Sequence, residues 1–243
     1  LLLICMIAFM TMIAGIGLTE KKGVKNLIIT MLFLEMTMVG VFVSLDLILF
    51  YVFWEFTLIP MFYIIGFWGA EKRFYAAIKY FLYTFTGSLI MLVGILYFGY
   101  IFHEATGVWS FSFLDWNSLI LPFDLQLWLF IAFFMAFAVK VPMFPFHTWL
   151  PYAHPAAPSH VSGMMSGVII KIGIFGIMRM LLVIKTDYVT VGYIILILSL
   201  VSGLYGVMLA IVQHNLKKLL AYHSIENIGI IGIGIGIGSI GLG

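Results

Sequence analysis

The chain has 243 residues, of which 64% are hydrophobic and only 9% charged, with a formal net charge of +2 and a mean hydropathy of +1.19. Soluble domains carry about 45–50% apolar and about 25% charged residues, so these figures exclude a water-soluble globule and make lipid the outer solvent. The single cysteine, Cys5, excludes a disulfide framework and any metal site built from several thiolates; the small net charge says nothing about nucleic acid, which is not expected as a partner, and where the few charges sit is the informative part.

At about 20 residues per span, the length accommodates roughly eight transmembrane helices. The chain opens apolar, without the charged n-region and cleavage site of a signal peptide, and closes on GIGIGIGIGSIGLG. Both ends read as cut within membrane segments, so the expectation is a piece of a longer protein. In chain order the apolar runs predict spans over 1–18, 27–44, 46–69, 74–102, 125–146, 161–184, 188–212 and from 216 onward. The stretch 103–124, HEATGVWSFSFLDWNSLILPFD, is the one long connection, rich in aromatics and free of Lys and Arg. No polar-in, apolar-out alternation is present, which excludes a barrel. The expected fold is therefore an all-α polytopic membrane protein, a single transmembrane domain over 1–243.

Charge placement orients it. If the spans alternate, one side receives Lys21, Lys22, Lys25, Lys72, Arg73, Lys217 and Lys218, and the other Lys185 with Asp46, Glu104, Asp115 and Asp124. The positive-inside rule makes the first side cytoplasmic. The fifth span runs into FPFHTWLPYAHPAAPSH, and Pro142 just before this run, with Pro145, Pro151, Pro155 and Pro158 in it, puts five prolines within 17 residues. Proline in a helix interior removes a hydrogen bond and clashes with the preceding turn, so this helix must break. Broken backbone at membrane depth is tolerated where protein or a water-filled cavity surrounds it, an arrangement typical of transport sites. Prolines that merely end a helix at the headgroups are the bland alternative.

Seven ionisable residues fall within the predicted spans: Glu35, Glu55, Lys79, Lys140, Lys171, Arg179 and Glu226. Each costs about 2.5–3.5 kcal/mol or more at the bilayer centre, so such residues default to a functional hypothesis. Lys79 and Arg179 lie near span ends and can reach the interface with their long side chains. Glu55, Lys140 and Lys171 are near mid-span, where ion pairs that only fix helix register are the alternative to function. Desolvation disfavours the charged form of acid and base alike, and a nearby opposite charge restores it, so groups placed in this way can gain or lose a proton when a neighbour moves. Polar side chains recur at helical spacing around them: Tyr51 one turn before Glu55, Tyr83 and Thr86 on the face of Lys79, and His147 seven residues after Lys140. His223, Glu226 and Asn227 cluster at i, i+3 and i+4 in the last span. The gaps between His147, His154 and His160 do not make a helical ligand pair, so no metal is expected. The terminal glycine run lacks the Lys-Ser/Thr of a phosphate loop and reads as close helix packing. Nothing marks a haem or another redox centre, and no cofactor is expected on this chain.

FYVFWEFTLIPMFYIIGFWG, AAIKYFLYT, FFMAFAVKVPMFPFHTWLPYAHPAAPS, SGVIIKIGIFGIMR and VQHNLKKLLAYHSIENIG resemble the antiporter-like membrane subunits of respiratory complex I. That family is related to subunits of energy-converting hydrogenases and of multisubunit cation/proton antiporters. The resemblance spans nearly the whole chain. It implies helices three to ten of a fourteen-helix fold built from two inverted repeats, with a first half-channel over 27–184 and the start of the second repeat over 188–243. It further implies proton-transfer roles for Glu55, Lys79, Lys140 and Lys171, with Glu55 modulating Lys140 and Lys171 passing the proton laterally. Glu35 matches an acid of the M-type branch, while HPAAPSHVSGMMSGVIIKIGIFGIMR and AYHSIENIG look more like the hydrogenase branch. His147, His223 and Glu226 complete the candidate set. The expected function is that of a non-redox, proton-translocating subunit of an NADH:quinone oxidoreductase-type complex in a prokaryotic cytoplasmic membrane. Its partners would be other membrane subunits, a peripheral redox arm, the lipid bilayer and protons, with sodium as the alternative ion. A hydrogenase or formate-hydrogenlyase subunit and a cation/proton antiporter subunit are the alternative functions.

Overall fold

The computed structural model describes residues 1–18, 23–119, 121–184 and 187–243. Lys21, Lys22 and Lys185, which enter the charge assignment above, lie outside them. Among the described residues, seven stretches are helical, long and apolar enough to cross a membrane, and the shorter apolar helix Leu2–Gly15 precedes them. These eight match the eight predicted runs. The helices are α1 (Leu2–Leu18), α2 (Val24–Val43), α3 (Leu47–Phe56), α4 (Leu58–Trp68), α5 (Arg73–Thr106) and α6 (Phe113–Trp116). They continue as α7 (Phe123–Lys140), α8 (Leu150–Ala156), α9 (Ser159–Met164), α10 (Ile170–Ile184), α11 (Tyr188–Ile211) and α12 (Leu216–Leu242).

Three of the predicted runs are internally interrupted. The run 46–69 divides at Thr57 into α3 and α4. Pro60 supplies the reason: it has no N–H to give the Phe56 carbonyl four residues back, and its ring crowds that carbonyl. In the first turn of α4 the same proline is harmless, because the first N–H groups of a helix have no intrahelical partner. The second interruption is the expected one. After Lys140 the chain turns, forms one 3₁₀ turn over Phe146–Trp149, and resumes as α8. Trp149, Leu150, Ala153 and His154 are buried, so the broken segment is packed inside the protein rather than trailing off a helix end. The third is a π-turn over Met165–Ile169 joining α9 to α10.

The break is held by hydrogen bonds that replace those lost from the helix. The Trp149 indole N–H donates to the Val139 carbonyl at 2.8 Å, satisfying one of the acceptors that a helix C-terminus leaves open. The Phe144 N–H donates to Ser202 Oγ on α11 at 2.8 Å. Glycines on both flanks let the end of α7 approach: a Cβ on Gly87 of α5 would sit 3.1 Å from Val139, and one on Gly173 of α10 3.1 Å from the Phe137 carbonyl.

The two ends of the bundle differ in charge as expected. At one end the Ala70 N–H bonds the Ala156 carbonyl and Lys217 Nζ donates to the Ala157 carbonyl at 3.0 Å, which gathers Lys72, Arg73, Lys217 and Lys218. At the other, the long connection folds back on the α2–α3 turn: Leu47 N–H donates to the Phe111 carbonyl and Phe113 N–H to the Leu45 carbonyl. Arg179 reaches this end, donating to the Ser44 carbonyl at 2.6 Å with its guanidinium 4.2 Å from the Phe113 ring centre. This is the span-end placement read for Arg179 from the sequence.

Candidate proton-transfer site

Lys140 is the last residue of α7 and is 1% exposed. Its ammonium does not touch a carboxylate. Lys140 Nζ donates to Thr57 Oγ1 at 2.6 Å and to the Trp54 carbonyl at 3.3 Å, and sits 4.2 Å from the centre of the Trp54 indole. Two interruptions thus meet: the end of α7 delivers a cation to the end of α3, where the backbone leaves its carbonyls open.

Glu55 lies next to this point on α3. Its carboxylate faces Tyr51, Ser88 and the charge of Lys140, and Oε1 is buried without a hydrogen-bond partner. The Tyr80 hydroxyl on α5, also within reach of the Glu55 charge, is buried and equally unpartnered. Among the described residues no lysine or arginine lies within 4 Å of a carboxylate; the single acid–base contact is His223 to Glu226. Buried ion pairs that merely fix register are therefore not what this site contains.

Lys79, half-buried on α5, is set among tyrosines, with its ammonium 4.2 Å from the Tyr152 ring centre, 5.9 Å from Tyr75 and 5.8 Å from Tyr83. The Tyr83 hydroxyl in turn accepts from Thr148 beyond the break. His147 does not share a helix face with Lys140. The helix ends between them, and the imidazole is buried against Phe144 and Tyr205, with Nδ1 unpartnered. Helical spacing from Lys140 to His147 fails as a predictor for that reason.

Lys171 follows the π-turn and donates to the Ser166 carbonyl. Ser166 Oγ pairs with Ser224 Oγ of α12 at 2.9 Å, which joins Lys171 to the helix bearing His223 and Glu226. On α12, His223 Nδ1 and Glu226 Oε2 are 2.6 Å apart, as their i, i+3 spacing suggested. A cleft of about 600 Å³ runs between α9 and α12, lined by His154, Ser162, Ser166, Lys217, His223 and Asn227. Glu35 is apart from all of these: it lines a groove of about 510 Å³ between α1 and α2 with Cys5, Met6, Phe9, Met12 and Leu32. Thr57 is the site residue that the sequence reading missed. Pro60, three positions on, was the available signal.

A family model described as NADH:quinone oxidoreductase/Mrp antiporter, TM, matches residues 44–242. NADH-quinone oxidoreductase subunit M of Rhodobacter capsulatus is 43% identical over 224 residues, covering 88% of this chain and 44% of the relative. NADH-ubiquinone oxidoreductase chain 4 of Metridium senile is 38% identical over 219 residues, covering 88% and 43%. Among solved structures, respiratory complex I from Thermus thermophilus with bound NADH superposes with a TM-score of 0.79 at 30% identity, covering 97% of this chain and 50% of that one. The membrane-bound sulfane sulfur reductase, an archaeal respiratory membrane complex, gives 0.78 at 29% identity, covering 96% and 39%. The chain spans about half the length of these relatives. It is an integral membrane protein with the antiporter-like fold, and it belongs to the NADH:quinone oxidoreductase/Mrp antiporter transmembrane family.

Proposed function

We propose that the chain is the proton-carrying part of a membrane subunit in a complex I-like, redox-driven pump, with Lys140 as its central carrier. One observation carries the reading: a lysine 1% exposed, at a helix break, held only by neutral groups beside a glutamate with a buried, unpartnered oxygen. A buried charge without a countercharge is costly, so a small displacement of either side chain changes the balance between charged and neutral Lys140. In this account Glu55 sets that balance, the Lys171–Ser166–Ser224 contacts lead toward α12, and the His223–Glu226 pair lies further along. Lys79 stands on the far side of the break, coupled to it through Tyr152.

The chain itself holds no cofactor in this account. Electron transfer takes place in partner subunits, which act on these residues by conformation or charge. The test is the proton-to-electron ratio of the assembled complex carrying Lys140→Ala, with electron transfer measured in parallel. A reduced ratio with electron transfer retained supports the reading, and an unchanged ratio refutes it. The close likeness to the sulfane sulfur reductase structure favours a second reading, in which the same channel serves a different redox arm. The chains that copurify decide between them: an NADH-oxidising module supports the first, and a nickel–iron or sulfur-reducing module the second.

A further inference from the structure

The Lys140 ammonium occupies a defined place. Thr57 Oγ1 donates its single proton to the Trp54 carbonyl at 2.7 Å, which leaves its lone pairs as the face turned to Lys140, 2.6 Å away. The Trp54 carbonyl accepts from both the hydroxyl and the ammonium. It also lies at the C-terminal end of α3, where the helix dipole is negative and favours a cation. The Trp54 ring, packed against Phe137 at 5.4 Å between ring centres, presents its face to the same ammonium at 4.2 Å. Thr57 and Trp54 are 0% and 1% exposed.

We propose that Thr57 and the Trp54 carbonyl form a seat that holds the Lys140 ammonium off Glu55, and that Thr57 is thereby a positioning residue for proton transfer at Lys140. The proposal rests on the carrier role of Lys140 proposed above. Two places are then open to the ammonium: the seat at the α3–α4 interruption, which it occupies, and the Glu55 carboxylate, whose Oε1 is left unpartnered. The interruption caused by Pro60 acquires a purpose, because in a continuous helix the Trp54 carbonyl would be taken by the N–H of Leu58. Half-helix ends and freed carbonyls hold cations in this manner in transporters built from broken helices.

The test crosses shape against hydroxyl. Thr57→Val keeps the branched shape and removes the hydroxyl, Thr57→Ser does the reverse, and Thr57→Ala, which removes both branches, is run beside them as a second hydroxyl deletion. A hydrogen bond to a charged group is worth about a tenfold or greater change in an equilibrium. In the assembled complex, Thr57→Val and Thr57→Ala are expected to lower proton translocation about tenfold while Thr57→Ser stays within about twofold. A double-mutant cycle separates the seat from a simple helix cap: thermal midpoints of the full chain in nanodiscs are compared for Thr57→Val, Lys140→Met and the pair. The seat predicts that the double variant melts no lower than the worse single one. Additive shifts, normal pumping by Thr57→Val, or a Thr57→Ser variant as impaired as Thr57→Val would each overturn the proposal. Undiminished pumping by Lys140→Ala would instead refute the carrier reading, while the cycle would still report whether the seat exists.

Discussion

The hairpin of α11 and α12 offers a prediction in which one substitution changes sign within one helix. At Gly229 an added Cβ would lie 2.6 Å from the Cα and N of Gly203 and 2.8 Å from the Ser199 carbonyl. All three atoms are backbone, so no side chain can rotate away and the helices must separate. At Gly234, five residues on, nothing lies within 4 Å of the same Cβ. Overpacking costs about 1–3 kcal/mol, and replacing a mid-helix glycine by alanine returns about 0.5–1 kcal/mol. Gly234→Ala should therefore stabilise by about 0.5–1 kcal/mol. Gly229→Ala carries the same gain, so the difference between the two variants isolates the overpacking cost of about 1–3 kcal/mol. The assay is reversible unfolding of the chain in mixed micelles, followed by circular dichroism. Two variants with equal midpoints would refute the backbone contact between α11 and α12.

Further predictions concern the elements that hold the site. Ser202→Ala removes the acceptor of the Phe144 N–H and leaves a donor at the break unsatisfied, which should cost about 1–3 kcal/mol; faster hydrogen exchange at Phe144 is the confirming sign. Asp46 caps α3 by accepting from the N–H groups of Ile48 and Leu49 at 2.9 and 3.0 Å, so Asp46→Ala should cost about 1 kcal/mol in the same unfolding assay while Asp46→Asn keeps most of the cap.

The spans were legible because a run of apolar residues long enough to cross lipid has few other uses, and the prolines after Lys140 announced the break at α7. The interruption at Thr57 was hidden, since Pro60 stands alone within an otherwise apolar run and a lone proline is also compatible with a kink. The π-turn at Met165–Ile169 has no proline or other residue-type signal within it. His223 and Glu226 were paired correctly from spacing alone, since their helix is continuous. His147 was misplaced relative to Lys140 because spacing along a helix means nothing across a break. Glu35, an ionisable residue of a span and a match to an acid of the M-type branch, lines a groove between α1 and α2. The contact of Lys140 with Thr57 joins residues 83 apart in sequence, and no local pattern encodes such a pairing.

The central claim is that Lys140 carries protons and does not merely fill space between α3 and α7. The most direct measurement is the proton-to-electron ratio of the assembled complex with Lys140→Ala, in sealed vesicles, with electron transfer recorded in the same sample. The account predicts a lower ratio at a retained rate of electron transfer. A ratio equal to that of the unaltered complex would contradict it.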